Sequence, residues 1–147
     1  MEIHPSNSIV QQEAESIIIK ALEQKLGFER GTLYPANIKL GTALVKVDGY
    51  NEEHGIICEV YAHIGKLKPA QSNKSINDVM KMLLIERKTE RHYRKIIVVC
   101  DSEAENQLKN NGWKALAIQE FGVEVMRVEV NEELRQRIIE AQRGQYR

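Results

Sequence analysis

Apolar residues recur along this chain with two periods, and the switches between them mark out its elements. Ile9, Val10, Ala14, Ile17, Ile18, Ala21 and Leu22 follow helical spacing. Ser6 and Ser8 suit an N-cap and Gly27 supplies a stop, so the pattern predicts a helix over residues 8–26. Residues 29–37 carry Gly31 and Pro35 and read as a loop with room for a short first strand. Residues 42–48 and 55–63 are strand-like, and the polar segment 51–54 between them makes the pair an antiparallel hairpin. Beyond Gly65 and Pro69, a helix over residues 72–90 is expected to turn Ile76, Val79, Met80, Leu83 and Leu84 inward. Residues 95–100 form a short, β-branched apolar run that suits a strand covered on both faces. Asp101 or Ser102 can cap the next helix, over residues 102–121, with Trp113, Leu116, Ala117 and Phe121 at helical spacing. Trp113 is expected in the core or at an interface. Clean alternation over 123–130 predicts another strand, and a terminal helix follows over 131–142.

This order, with a hairpin ahead of a crossover helix and a buried strand, predicts an α/β fold: a mixed central sheet with helices on both faces, in one domain over residues 1–147. A doubly wound sheet or a dinucleotide-binding fold would need strictly alternating units. Neither a GxGxxG nor a Walker loop occurs.

Composition narrows the function classes. Basic and acidic side chains balance at 21 each, which argues against a non-specific nucleic-acid coat or a membrane-surface protein. No apolar run approaches a membrane span, and Met1-Glu2-Ile3-His4-Pro5 lacks the layout of a signal peptide, so the expected compartment is the cytoplasm. Cys58 and Cys100 form no CxxC and read as small buried apolar residues.

The chemistry lies in the hairpin. Asp48 closes its first strand, and Glu59 sits in the middle of its second, sharing a face with Tyr61 and His63 by the period of two. Two carboxylates on adjacent strands repel unless something positive lies between them. Hard oxygen ligands of this kind suit Mg²⁺, which takes one or two carboxylates and keeps several waters.

Asp48, Glu59 and the order αβββαβ, which covers about the first 100 residues, resemble the PD-(D/E)xK, or restriction-endonuclease-like, nuclease superfamily. The segment from Cys58 to Gln71 is similar to that of small uncharacterised bacterial members. The resemblance implies a restriction-endonuclease-like core. It also implies Mg²⁺ (or Mn²⁺) held by Asp48 and Glu59, with Glu13 of the first helix as a further metal ligand, and DNA, or else RNA, as substrate.

The sequence departs from the superfamily pattern at one position: the motif Lys, two after the Glu, is Tyr61 here. A phenol donates a hydrogen bond but carries no positive charge at neutral pH. A displaced Lys would restore the charge, and Lys66, Lys74 and Lys81 are the candidates. Lys74, Asp78 and Lys81 fall at i, i+4 and i+7 and form one polar stripe, so Lys74 is the favoured substitute, with Lys81 second. Tyr61 would help orient the attacking water. Lys66, Lys68 and Lys74 are the expected phosphate contacts. Glu15 and Glu23 are expected to be exposed.

Each of these features also has a structural explanation. Asp48-Gly49 is ordinary turn chemistry. The Lys74 stripe is ordinary for a solvated helix face, a His such as His63 at a strand end is commonly structural, and Asp101 suffices as a helix cap. The resulting expectation is a Mg²⁺-dependent nuclease of low intrinsic specificity, or one whose specificity comes from a homodimer or partner protein. The alternative is a nuclease-like domain that has lost cleavage and serves as a nucleic-acid-binding or assembly subunit. A third class, a small-molecule-binding α/β protein using Asp101, is disfavoured by the missing phosphate loop.

Overall fold

The computed structural model describes residues 5–144. Met1 to His4, which carry part of the leader expectation, lie outside them, as does the Ser6 side chain proposed as a cap. The elements run α1 (Pro5–Leu26), β1 (Tyr34–Leu40), β2 (Ala43–Asn51), β3 (Ile56–Tyr61), α2 (Pro69–Thr89), β4 (Arg94–Val99), α3 (Ser102–Asn110), α4 (Gly112–Glu120), β5 (Val123–Arg127) and α5 (Glu132–Gly144). The five strands form one sheet in the order β1-β2-β3-β4-β5. The first three are antiparallel, whereas β3 pairs with β4, and β4 with β5, in parallel. The protein is therefore an α/β domain with a mixed sheet flanked by helices. None of its described helices is long and apolar enough to cross a membrane.

Covering both faces accounts for the continuous burial of β3 and of β4 after Arg94. Ile56, Cys58, Val60, Ile96 and Val98 pack with α1 and α5. Ile57, Tyr61, Ile97 and Val99 pack with α2, α3 and α4. Cys58 and Cys100 are free and buried.

Four expectations change. First, α2 is rotated: Ser75, Asp78, Val79, Met82 and Ile85 are buried, while Met80 and Leu84 are exposed. It also begins at Pro69, where a proline's missing N–H costs nothing. Second, the helix foreseen over 102–121 breaks at Asn111, and Gly112 takes φ +76°. The break turns Ala115 and Ile118 inward and leaves Trp113 65% exposed, so Trp113 is not a core residue. Third, β2 does not end at Asp48 but runs on to Asn51, and the turn lies at residues 52–55. Gly49 has no positive φ, so the Asp-Gly turn reading fails. Instead, Gly49 admits α1: a Cβ there would stand 2.9 Å from Ile19 Cδ1 and 3.2 Å from Cys58 Cβ. Fourth, Ser8 lies inside α1 rather than at its cap.

Candidate metal and phosphate site

The hairpin opens where its two acidic residues lie. From Tyr34↔Tyr50 to Ala36↔Val47, two steps on β1 face three on β2, which places a bulge at Asp48 and Gly49. On the other side, the β2–β3 pairing ends at Gly49↔Cys58. Past that point each acid serves the opposite strand. Val60 N–H donates to Asp48 Oδ2 at 2.9 Å, and Asp48 N–H donates to Glu59 Oε1 at 3.3 Å. These bonds satisfy amides that the sheet has released. One oxygen of each carboxylate, Asp48 Oδ1 and Glu59 Oε2, is left for other partners.

For Glu59 those partners come from α2. Lys81 Nζ lies 3.3 Å from Glu59 Oε2 and Lys74 Nζ lies 3.7 Å from it. Asp78, only 2% exposed, sits between the two lysines along the helix. Its Oδ2 accepts from Lys74 Nζ at 2.9 Å and from the Tyr61 hydroxyl at 2.7 Å, and its Oδ1 is 3.8 Å from Lys81 Nζ. The Lys74 ammonium also stands over the Tyr61 ring, 4.4 Å from its centre. Helical spacing explains the convergence: positions 74, 78 and 81 fall on one face, and burial of Asp78 aims that face at the sheet.

The electrostatics follow from burial and crowding. Burial, then Asp48 and Asp78, push the Glu59 carboxyl up to about 8, against the pull of Lys81 and Lys74. Burial also works against the Lys74 charge, but Asp78, Glu59 and Asp48 outweigh it and raise that ammonium. Burial and then Asp78 lift the Tyr61 phenol far above its usual range, so it stays a donor.

A cavity of about 570 Å³ opens over these groups, lined among others by Glu15, Lys46, Asp48, Glu59, Lys74 and Lys81. The acid that α1 contributes is Glu15, not Glu13. Glu13 is exposed and accepts from Arg137 of α5 at 2.7 Å. Glu15, two positions on, is half-buried, and its carboxyl is raised by burial and then by Asp48. Glu23 is not exposed either: at 2% exposure it accepts from the Gly31 and Leu33 amides. Lys66 and Lys68 are exposed on the β3–α2 loop and do not line the cavity. His63 is committed to that loop: Nε2–H donates to the Lys66 carbonyl and Nδ1 accepts from Gln71. Asp101 caps α3 and meets Arg135. Lys46, unmarked in the sequence reading, stands two positions before Asp48, and the period of two could have found it.

The donor set suits a hard divalent cation that keeps its waters: two carboxylates, each with one oxygen not bonded to backbone. Among the described residues, no group of three or more His, Cys, Asp or Glu converges as a closed metal cage. Of the two carboxylates, Asp48 keeps Oδ1 without a protein partner among the described residues, and Glu59 Oε2 would have to exchange its lysine contacts for an ion. No family model, curated protein or solved structure matches this chain.

Proposed function

We propose that this protein is a metal-dependent nuclease with a restriction-endonuclease-like core, hydrolysing phosphodiester bonds in DNA. The observation that carries the reading is the pair of ammonium groups 3.3 and 3.7 Å from Glu59, delivered by the helix that follows its strand. The positive charge expected at Tyr61 is thus supplied from α2. The antiparallel β1–β2–β3 ribbon joined in parallel to β4 is also compatible with the resemblance.

Asp48 and Glu59 would hold Mg²⁺ or Mn²⁺, which when bound lowers the pKa of a coordinated water and offsets charge on the phosphate. Lys81, with the fewer competing partners, would face the phosphate, and Lys74 would stand beside it. Both would stabilise negative charge as it develops on the phosphate oxygens. Tyr61, whose hydroxyl is given to Asp78, would hold Asp78 rather than the attacking water.

Cleavage of supercoiled plasmid with Mg²⁺ or Mn²⁺, beside a single-stranded substrate, tests this. Lys81→Ala is expected to slow cleavage by about 10²–10³-fold, the loss seen on removing one charge-stabilising donor. Lys74→Ala should do no more than that. This ordering differs from the one expected from helix position alone, and it rests on Lys81 lying nearer to Glu59 while Lys74 is also engaged by Asp78 and the Tyr61 ring.

A second reading is favoured by the Tyr61–Asp78–Lys74 contacts, which form a self-satisfied network. On that reading the domain has lost cleavage and binds nucleic acid or a partner. Inactivity of the native protein with both metals, with cleavage created by Tyr61→Lys, would select it.

A further inference from the structure

The cavity over the carboxylates has a neighbour beyond Asp48. A second cavity of about 350 Å³ opens on the far side, and the two share Gln12, Glu15, Lys46 and Asp48 as a common wall. One wall of the second cavity is a single face of α1, from Gln12 through Ser16 and Ile19 to Glu23. At 1.5 Å of rise per residue that face is about 16 Å long. The opposite wall is the segment leading into β1, with Arg30, Leu33 and Pro35, and beside it Lys46 of β2. The space is therefore a furrow that runs from the carboxylates along the helix.

Its lining is apolar below, with Lys20, Arg30 and Lys46 along the rim and the carboxylates of Glu15, Glu23 and Asp48 on the α1 and β2 sides. Ile19 and Leu33 are buried. Lys20, Arg30 and Lys46 are exposed, and among the described residues none of the three makes an ion pair. Glu23 turns one carboxylate oxygen onto the Gly31 and Leu33 amides, at 3.0 and 2.8 Å, which fixes it within the wall.

We infer that this furrow is the track of a single-stranded nucleic acid, which passes from Asp48 along α1 with its phosphates against Lys46, Lys20 and Arg30 and a base over Ile19 and Leu33. The inference rests on the nuclease reading for the place of the reacting phosphate. Only unpaired bases can reach such a floor, because in a duplex their faces are stacked and their edges paired. Three cations also suit a short strand.

Fluorescence anisotropy tests this with short labelled oligo-dT, oligo-U and a duplex of equal length, in Ca²⁺ and in EDTA so that nothing is cut. Single strands should bind about tenfold or more tightly than the duplex. The triple variant Lys20→Ala, Arg30→Ala, Lys46→Ala should lower the magnitude of the salt slope by about 2, since each phosphate contact on a single strand contributes about 0.7. Ser16→Trp, at an exposed position of α1, fills the furrow and should weaken binding while its melting curve stays that of the native protein. Comparison of the dT and U arms assigns DNA or RNA. Equal duplex affinity, absent single-strand binding, or native binding by both variants overturns the track. Furrow-dependent binding without cleavage in Mg²⁺ or Mn²⁺ removes the nuclease reading and keeps the track. Equal cleavage of both substrates by the native protein and both variants removes the track and keeps the nuclease.

Discussion

Removing the Tyr61 hydroxyl should cost stability rather than chemistry. Tyr61→Phe keeps the ring, and with it the contact to the Lys74 ammonium at 4.4 Å, and deletes one hydrogen bond of 2.7 Å to Asp78. Tyr61 is 5% exposed and Asp78 2%, so water does not readily replace the lost donor. A hydrogen bond to a charged group contributes about 1.5–3 kcal/mol. For a domain of this size that lowers the melting temperature by about 3–12 °C. Urea unfolding of native protein, Tyr61→Phe, Asp78→Asn and the double variant closes a cycle whose coupling should fall in that range. Cleavage by Tyr61→Phe, measured well below its melting temperature, should stay within a few-fold of native. A coupling below about 0.5 kcal/mol would refute the anchoring role, since it would fall within ordinary surface effects. So would a large loss of cleavage at unchanged stability, which would return the hydroxyl to the attacking water.

The raised carboxyl of Glu59 carries a pH dependence of known sign. Its folded value of about 8 lies above the ordinary 4.5, so the metal-free protein should lose stability as pH rises between those values. Glu59→Gln should flatten that part of the denaturation profile. Mg²⁺ binding near pH 7 should release protons, visible as a dependence of the calorimetric heat on the buffer's ionisation enthalpy. Asp48→Asn retains an oxygen for the Val60 amide and should fold normally, yet lose Mg²⁺ affinity by isothermal titration; unchanged affinity would leave Asp48 with only a structural role. Gly49→Ala should destabilise by about 1–3 kcal/mol in urea melts, because its Cβ would crowd Ile19 and Cys58.

Periodicity along the chain was enough to predict the mixed sheet, the hairpin and the helices on both faces, because burial on one or two faces writes itself into local spacing. Asp48 and Glu59 stood out for the same reason, as charges set among β-branched neighbours. What local spacing cannot carry is the rotation of a helix about its axis when several faces are partly apolar. On α2, the spacing pointed Met80 and Leu84 into the core, whereas Met82 and Ile85 are buried there beside Asp78. On α1, Glu13 and Glu15 differ by two positions, which is just over half a turn, and Glu13 pairs with Arg137 of α5 instead. The bulge that re-aims Asp48 depends on the register between β1 and β2, a relation between distant residues that no single segment encodes. The convergence of Lys74 and Lys81 on Glu59 is likewise tertiary: the helix spacing placed the lysines on one stripe, but only the seating of that helix against β3 set their distances to the carboxylate.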